Sequence, residues 1–231
     1  MPKPCIVITG GNGALGQAAA HLVQDRGARP VLLDLVFSDA VRARFECHAV
    51  DLTDAPSVAR IVELIGPVDA LFNVAGGFAM GAAVHDPDDA QWESMFARNV
   101  ATLRAMLKAV VPGMRQRNRG SIVNVGAVSA LHGSAGMSAY TASKAVVINL
   151  TESLAAELKH TGIRVNAVLP SIIDTPANRQ AMPDAGAQDW VPARDIAEVM
   201  FFLAGAQSRA IHGALIPVTA AQQPLHRTTE D

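Results

Sequence analysis

Tyr140 and Lys144 stand four residues apart in YTASK (140–144). On a helix, residues i and i+4 share one face, so the phenol and the ammonium can converge. A nearby cation favours phenolate and lowers a tyrosine pKa from about 10, as a general acid/base near neutral pH requires. Both residue types are scarce. Tyr140 is the only tyrosine in 231 residues, and the other lysines are Lys3, Lys108 and Lys159. No second tyrosine is available for the role.

A further signature lies near the start. TGGNGALG (9–16) follows a short apolar run and sets Gly11, Gly13 and Gly16 in G-x-G-x-x-G spacing, with Gly10, Asn12 and Leu15 in the same turn. Glycines let the backbone turn tightly and approach a pyrophosphate, and the helix that follows presents unpaired N–H groups to an anion. Asp34 closes the next apolar run eighteen residues after Gly16. That is near the ~20 expected of an acid that bonds a ribose 2′-hydroxyl. Leu35, Val36 and Phe37 follow, and no arginine stands beside Asp34 for a 2′-phosphate. The spacing therefore favours NAD(H) over NADP(H).

The elements that must position these groups form an alternation. Apolar runs at 5–9, 29–34, 47–50, 69–74, 121–125, 163–169 and 214–218 alternate with helix-like stretches at 14–26, 55–65, 88–117, 138–161 and 192–205. Strands apolar on both faces, separated by helices, predict an α/β chain. The expected form is a doubly wound, Rossmann-like parallel sheet of about seven strands covered on both faces, spanning 1–231 as one domain. Gly27 and Gly162 read as stops after helices, Asp86–Pro87 as the start of the fourth helix, and Pro112 as a kink or early end within it.

Composition narrows the partners. The net charge is -2, from 19 basic and 21 acidic residues without a basic block, which argues against nucleic acid. Cys5 and Cys47 show no CxxC spacing and fit a reducing cytoplasm. No apolar run reaches the ~20 residues of a membrane span. The seven histidines lack metal-ligand spacing, so no metal site is expected.

The ordered set TGGNGALG, DLTD (51–54), NVAG (73–76), Asn99, IVNVG (122–126), YTASK and PSIIDT (170–175) resembles the short-chain dehydrogenase/reductase family over nearly the whole chain. The resemblance implies an NAD(P)(H)-dependent oxidoreductase that moves hydride between a nicotinamide and a small carbonyl or alcohol. It implies that Asp34 holds the adenosine ribose, that Asp51 and Leu52 flank the adenine, and that Asn73, Ala75 and Gly76 line the cofactor. Asn99 matches the asparagine that holds a proton-relay water. Tyr140 matches the acid/base, and Lys144 the lysine that binds the nicotinamide ribose and tunes the tyrosine. Pro170, Ile173 and Thr175 would lie against the nicotinamide end. A homodimer or homotetramer through 88–117 and 138–161 is also implied.

Two departures bear on activity. Ala14 stands where the commonest subfamily pattern has glycine, although Gly13 supplies the TGxxGxxG variant. The family's catalytic serine lies thirteen residues before the tyrosine, where this chain has Ala127. Losing one such donor typically costs about 10²–10³ in rate. Ser129 is the nearest hydroxyl, with Ser134 and Ser138 as weaker candidates. The stretches GAVSALHGSAGMSAY (126–140) and VLPSIIDTPANRQAMPDAGAQDWVP (168–192) are similar to a branch without that serine, the quinonoid dihydropteridine reductases. Reduction of a quinonoid pterin by NADH is therefore one alternative. A dinucleotide-binding protein without useful catalysis is another. Residues 174–192 follow the sixth strand, where α/β sheets place ligand loops. They are either a lid with Met182, Ala185 and Trp190 as an apolar wall, or a loop packed on the body.

Overall fold

The first apolar run, Cys5–Thr9, is buried on both faces and becomes β1 of a parallel sheet. The structure is a computed structural model describing residues 2–81, 83–85 and 89–220. In chain order it comprises β1, α1 (Ala14–Asp25), β2 (Arg29–Asp34), α2 (Asp39–Arg42), β3 (Glu46–Ala49), α3 (Ala55–Ile65) and β4 (Ala70–Asn73). The second half contains α4 (Ala90–Phe96), a π-turn (Ala97–Ala101), α5 (Thr102–Arg117), β5 (Gly120–Val125) and α6 (Ser138–Glu157). It ends with β6 (Ile163–Pro170), β7 (Ile173–Asp174), α7 (Pro176–Ala181), β8 (Val191–Pro192), α8 (Ala193–Ala204) and β9 (Leu215–Val218).

The seven main strands pair in the order β3-β2-β1-β4-β5-β6-β9, all parallel, and β7 pairs with β8 separately. Alternate residues of each strand feed opposite faces. Ile6 and Ile8 pack with Leu15, Ala19, Val23, Ile196 and Met200 of α1 and α8. Cys5 and Val7 pack with Val58, Ile65, Met106 and Val110 of α3 and α5. Strand order reverses between β1 and β4, so a crevice opens at their carboxyl ends, beyond the Thr9–Asn73 register pair. No helix of the described residues is long and apolar enough to cross a membrane.

Several expected boundaries are corrected. The stretch 88–117 is three pieces, and α5 runs through Pro112 to Arg117. The proline removes one ladder hydrogen bond there without ending the helix. The proposed start at Asp86–Pro87 lies outside the described residues. The short helices α2 and α7 have no counterpart among the expected stretches. Gly27 takes φ +80 directly after α1, as a stop should. Gly162 does not act that way: α6 ends at Glu157 and the left-handed residue is His160.

Gly162 serves packing instead. Its N–H donates to Asn118 Oδ1 at 3.0 Å, and a Cβ at Gly162 would overlap the Asn118 carbonyl oxygen. Two backbone turns touch there, one closing α5 and one opening β6. Gly162→Ala should therefore cost about 1–3 kcal/mol in urea unfolding through overpacking. Gly133→Ala, where an added Cβ meets no atom within 4 Å, should leave the midpoint unchanged.

Candidate active site

The carboxyl ends of β1, β2, β4, β5 and β6 open on one cleft of about 1070 Å³. Its polar end is built by the glycine turn. Gly13 N–H donates to the Gly10 carbonyl at 3.1 Å, and Gln17 N–H to the Gly13 carbonyl at 2.9 Å. Helix α1 starts at once, with no side-chain cap and no acid in its first turn. The first-turn amides of a helix lack intrahelical partners, and here that end lines the cleft. Gly10, at φ +65, lies so close to β4 that a Cβ would sit 2.9 Å from Ala75 N. The Asp34 carboxylate accepts from Asn12 N–H at 2.9 Å and from Leu35 N–H at 2.8 Å. An anion-ready helix end, a backbone cradle without side chains and a fixed carboxylate on the next strand fit a dinucleotide.

At the other end Tyr140 and Lys144 line the same cleft from the start of α6. The Lys144 ammonium is buried and donates to the Val125 carbonyl at 2.8 Å. Burial draws its pKa down to about 8 and pushes the Tyr140 phenol up to about 12. The expected lowering of the tyrosine by its lysine is thus absent: burial alone moves the phenol, and the lysine's ammonium is engaged with a carbonyl. The edge of Phe78 meets the Tyr140 ring, with centroids 4.9 Å apart.

Asn99 occupies the π-turn and is buried. Its Oδ1 accepts from Gly77 N–H at 2.8 Å, and its Nδ2 donates to the Gly77 carbonyl at 3.1 Å and to Ser143 Oγ at 2.9 Å. Ser143 Oγ in turn donates to the Tyr140 carbonyl at 2.8 Å. A side chain at Gly76 would collide with Asn99 Oδ1 (2.6 Å) and crowd Lys144 Nζ (3.2 Å).

Of the residues expected at the site, Gly10, Gly13, Leu15, Gly16, Asp34, Asp51, Leu52, Ala75, Gly76, Pro170, Ile173 and Thr175 line the cleft with Tyr140 and Lys144. Ser129 and Met182 line it too. Others stand behind the wall. Gly11 packs on Leu32. Asn12 braces Asp34 and accepts from Ser38 N–H. Asn73 is buried and donates to Asn124 Oδ1 at 2.8 Å. Ala127 is buried. Trp190 is also buried, just before β8, and Ala185 is exposed, so neither joins Met182 on the cleft wall. Ser134, Ser138 and His132 line a separate shallow groove with Trp92. Phe78, Arg98 and Thr102 line the main cleft without a sequence motif to mark them, and Met137 and Ile172 line it from stretches whose quoted motifs gave them no role. For Phe78 the available signal was an aromatic directly after NVAGG in a chain with only 4% aromatics.

The sequence profile of a family described as short chain dehydrogenase matches residues 4–186. 2-(S)-Hydroxypropyl-CoM dehydrogenase 3 of Xanthobacter autotrophicus is 33% identical, over 92% of this chain and 94% of that protein. 2-Keto-3-deoxy-L-fuconate dehydrogenase of Xanthomonas campestris is 32% identical, over 89% of this chain and 75% of that one. The solved structure of NAD+-bound xylitol dehydrogenase superposes with a TM-score of 0.85 at 27% identity, covering 95% of this chain and 99% of the other.

The two buried groups have opposite linkage. The tyrosine's folded pKa lies above its unfolded one, so its contribution to stability is intact below pH 10 and is lost as pH rises through about 12. The lysine opposes folding in full below about pH 8, and that opposition lifts between about 8 and 10.5. Because Tyr140 is the only tyrosine, phenolate absorbance reads it directly. The cofactor-free protein should titrate near pH 12, and denatured protein near 10. A native midpoint at or below 10 would contradict the burial of the phenol.

Proposed function

The chain belongs to the short-chain dehydrogenase family, and within it we propose an NAD(H)-preferring oxidoreductase of small, neutral carbonyl or alcohol substrates. The single observation that carries the proposal is that the glycine turn, Asp34, Tyr140 and Lys144 all face one cleft. A bound nicotinamide dinucleotide supplies or accepts the hydride. The remaining work falls to the chain. First-turn amides of α1 bind the diphosphate. Asp34 accepts from ribose hydroxyls, and its charge repels a 2′-phosphate. Lys144 donates to the second ribose from beneath Gly76. Tyr140 Oη gives its proton to the substrate oxygen in reduction and takes it back in oxidation. Ser129, which lines the cleft where the buried Ala127 does not, donates to that oxygen in this reading.

A neutral substrate with an apolar substituent fits best, because Phe78 meets the Tyr140 ring and Val128, Met137, Ile172 and Met182 line the same cleft. Residues 174–192 serve as the lid. The β7–β8 pairing of Ile173 with Val191 and the buried Trp190 anchor its base. The proposal includes one domain over 1–231, a cytoplasmic location, and a homodimer or homotetramer through 88–117 and 138–161. Relatives named as dehydrogenases favour this reading over a pterin reductase or a non-catalytic binder.

A screen of neutral ketones and secondary alcohols with NADH and NAD+ tests the assignment. Tyr140→Phe should lower kcat by roughly 10²–10⁴, the usual worth of a positioned acid/base, and leave NADH affinity nearly unchanged. Retained turnover would remove Tyr140 from the role. NADH should exceed NADPH in kcat/KM by about a hundredfold, in line with the cost of juxtaposed like charges. Asp34→Ser should narrow that ratio, and a wild-type preference for NADPH would reject the assignment of Asp34.

A further inference from the structure

Arg98 is the charged group in the cleft that the proposed chemistry leaves unused. The three guanidinium atoms Nε, Cζ and Nη1 lie 2.8, 2.9 and 3.1 Å from where a Cβ on Gly77 would stand. Near-equal distances mean that the guanidinium plane lies flat across the Gly77 backbone, and that only glycine leaves it room. The platform is rigid, because both the N–H and the carbonyl of Gly77 are bonded to the Asn99 carboxamide. Arg98 is exposed and lines the cleft, and no carboxylate of the described residues pairs with it.

Its place along the cleft follows from the helices. Asn99 turns toward α6, where it meets Ser143. Arg98 and Thr102, four residues apart on one face, line the cleft away from that contact. Helices α3 and α5 pack side by side on the same face of the sheet. The turn that feeds α3 is Asp51–Leu52–Thr53, which lines the cleft as well. The order of the helices thus turns Arg98 away from α6 and toward the side of the cleft that Asp34 and Asp51 bound.

We propose that Arg98 is a positioning residue for the nucleotide base, its planar cation stacking on the adenine ring from above Gly77. The inference rests on the dinucleotide site proposed above. A flat guanidinium backed by peptide on one face and open on the other suits a π-surface, and Arg does this better than Lys because its charge is planar and weakly hydrated. The substrate end gains no charge from it.

Displacement of bound NADH, read by fluorescence, tests this with adenosine monophosphate and nicotinamide mononucleotide as separate probes. Arg98→Met should weaken the adenine nucleotide about three- to tenfold and leave the nicotinamide nucleotide unchanged. Arg98→Lys should restore only part of the loss. Equal affinity of wild type and Arg98→Met for adenosine monophosphate overturns the inference, as does an equal loss for both probes, which would place Arg98 on phosphate. A wild-type protein that binds neither probe nor NADH overturns the dinucleotide reading beneath it.

Discussion

The carboxamide of Asn99 is the joint on which the site depends. It is buried, its oxygen is held by Gly77 N–H, and its nitrogen is shared between the Gly77 carbonyl and Ser143. A buried amide left without partners costs about 1–3 kcal/mol, so these bonds are obligatory once the residue is inside. They fasten the loop after β4 to α6, and through Ser143 they reach the Tyr140 carbonyl. The position of the phenol relative to the floor of the cleft is therefore set by a residue that does not itself line it. The π-turn that carries Asn99 departs from the regular helical ladder, a distortion often found where a site needs one side chain re-aimed.

Along the cleft, polarity changes end to end. Asp34 and Asp51 line the cleft with the glycine turn, and the Phe78 ring meets Tyr140 edge-on. Lys144 is buried and bonded to a backbone carbonyl. Burial opposes charge on both Tyr140 and Lys144; below about pH 8 this costs stability at the lysine alone, because the phenol is neutral there in any case. Such strain is tolerated where function needs a proton poised away from water.

The fold was legible because strands buried on both faces leave continuous apolar runs, and all seven main strands fall on those expected within a residue or two. The π-turn was not legible, because it follows from where Asn99 must point rather than from local propensity. Pro112 misled for a related reason: tertiary packing of α5 against α3 outweighs one missing helical hydrogen bond. Around the site, the glycine turn and Asp34 carry strong spacing signals, and they meet on one cleft. Asn73 and Trp190 have motif positions but lie behind or outside the wall, since a motif fixes order along the chain and not which way a side chain turns. Arg98 and Phe78 sit in loops and helix starts with no periodic pattern, so only three-dimensional proximity reveals them.

The last strand carries a consequence for assembly. The carbonyls of Ala214 and Val218 accept from β6 and the loop after it, so the alternate residues Leu215 and Pro217 turn their backbone outward at the sheet's free edge. Pro217 has no N–H to offer there. The rim thus lacks a donor in the middle of a strand only four residues long, which blunts it as a template for a foreign β-strand. Growth of the sheet across that margin is disfavoured, which leaves β3, at the opposite end of the strand order, as the edge with an unbroken run of N–H groups.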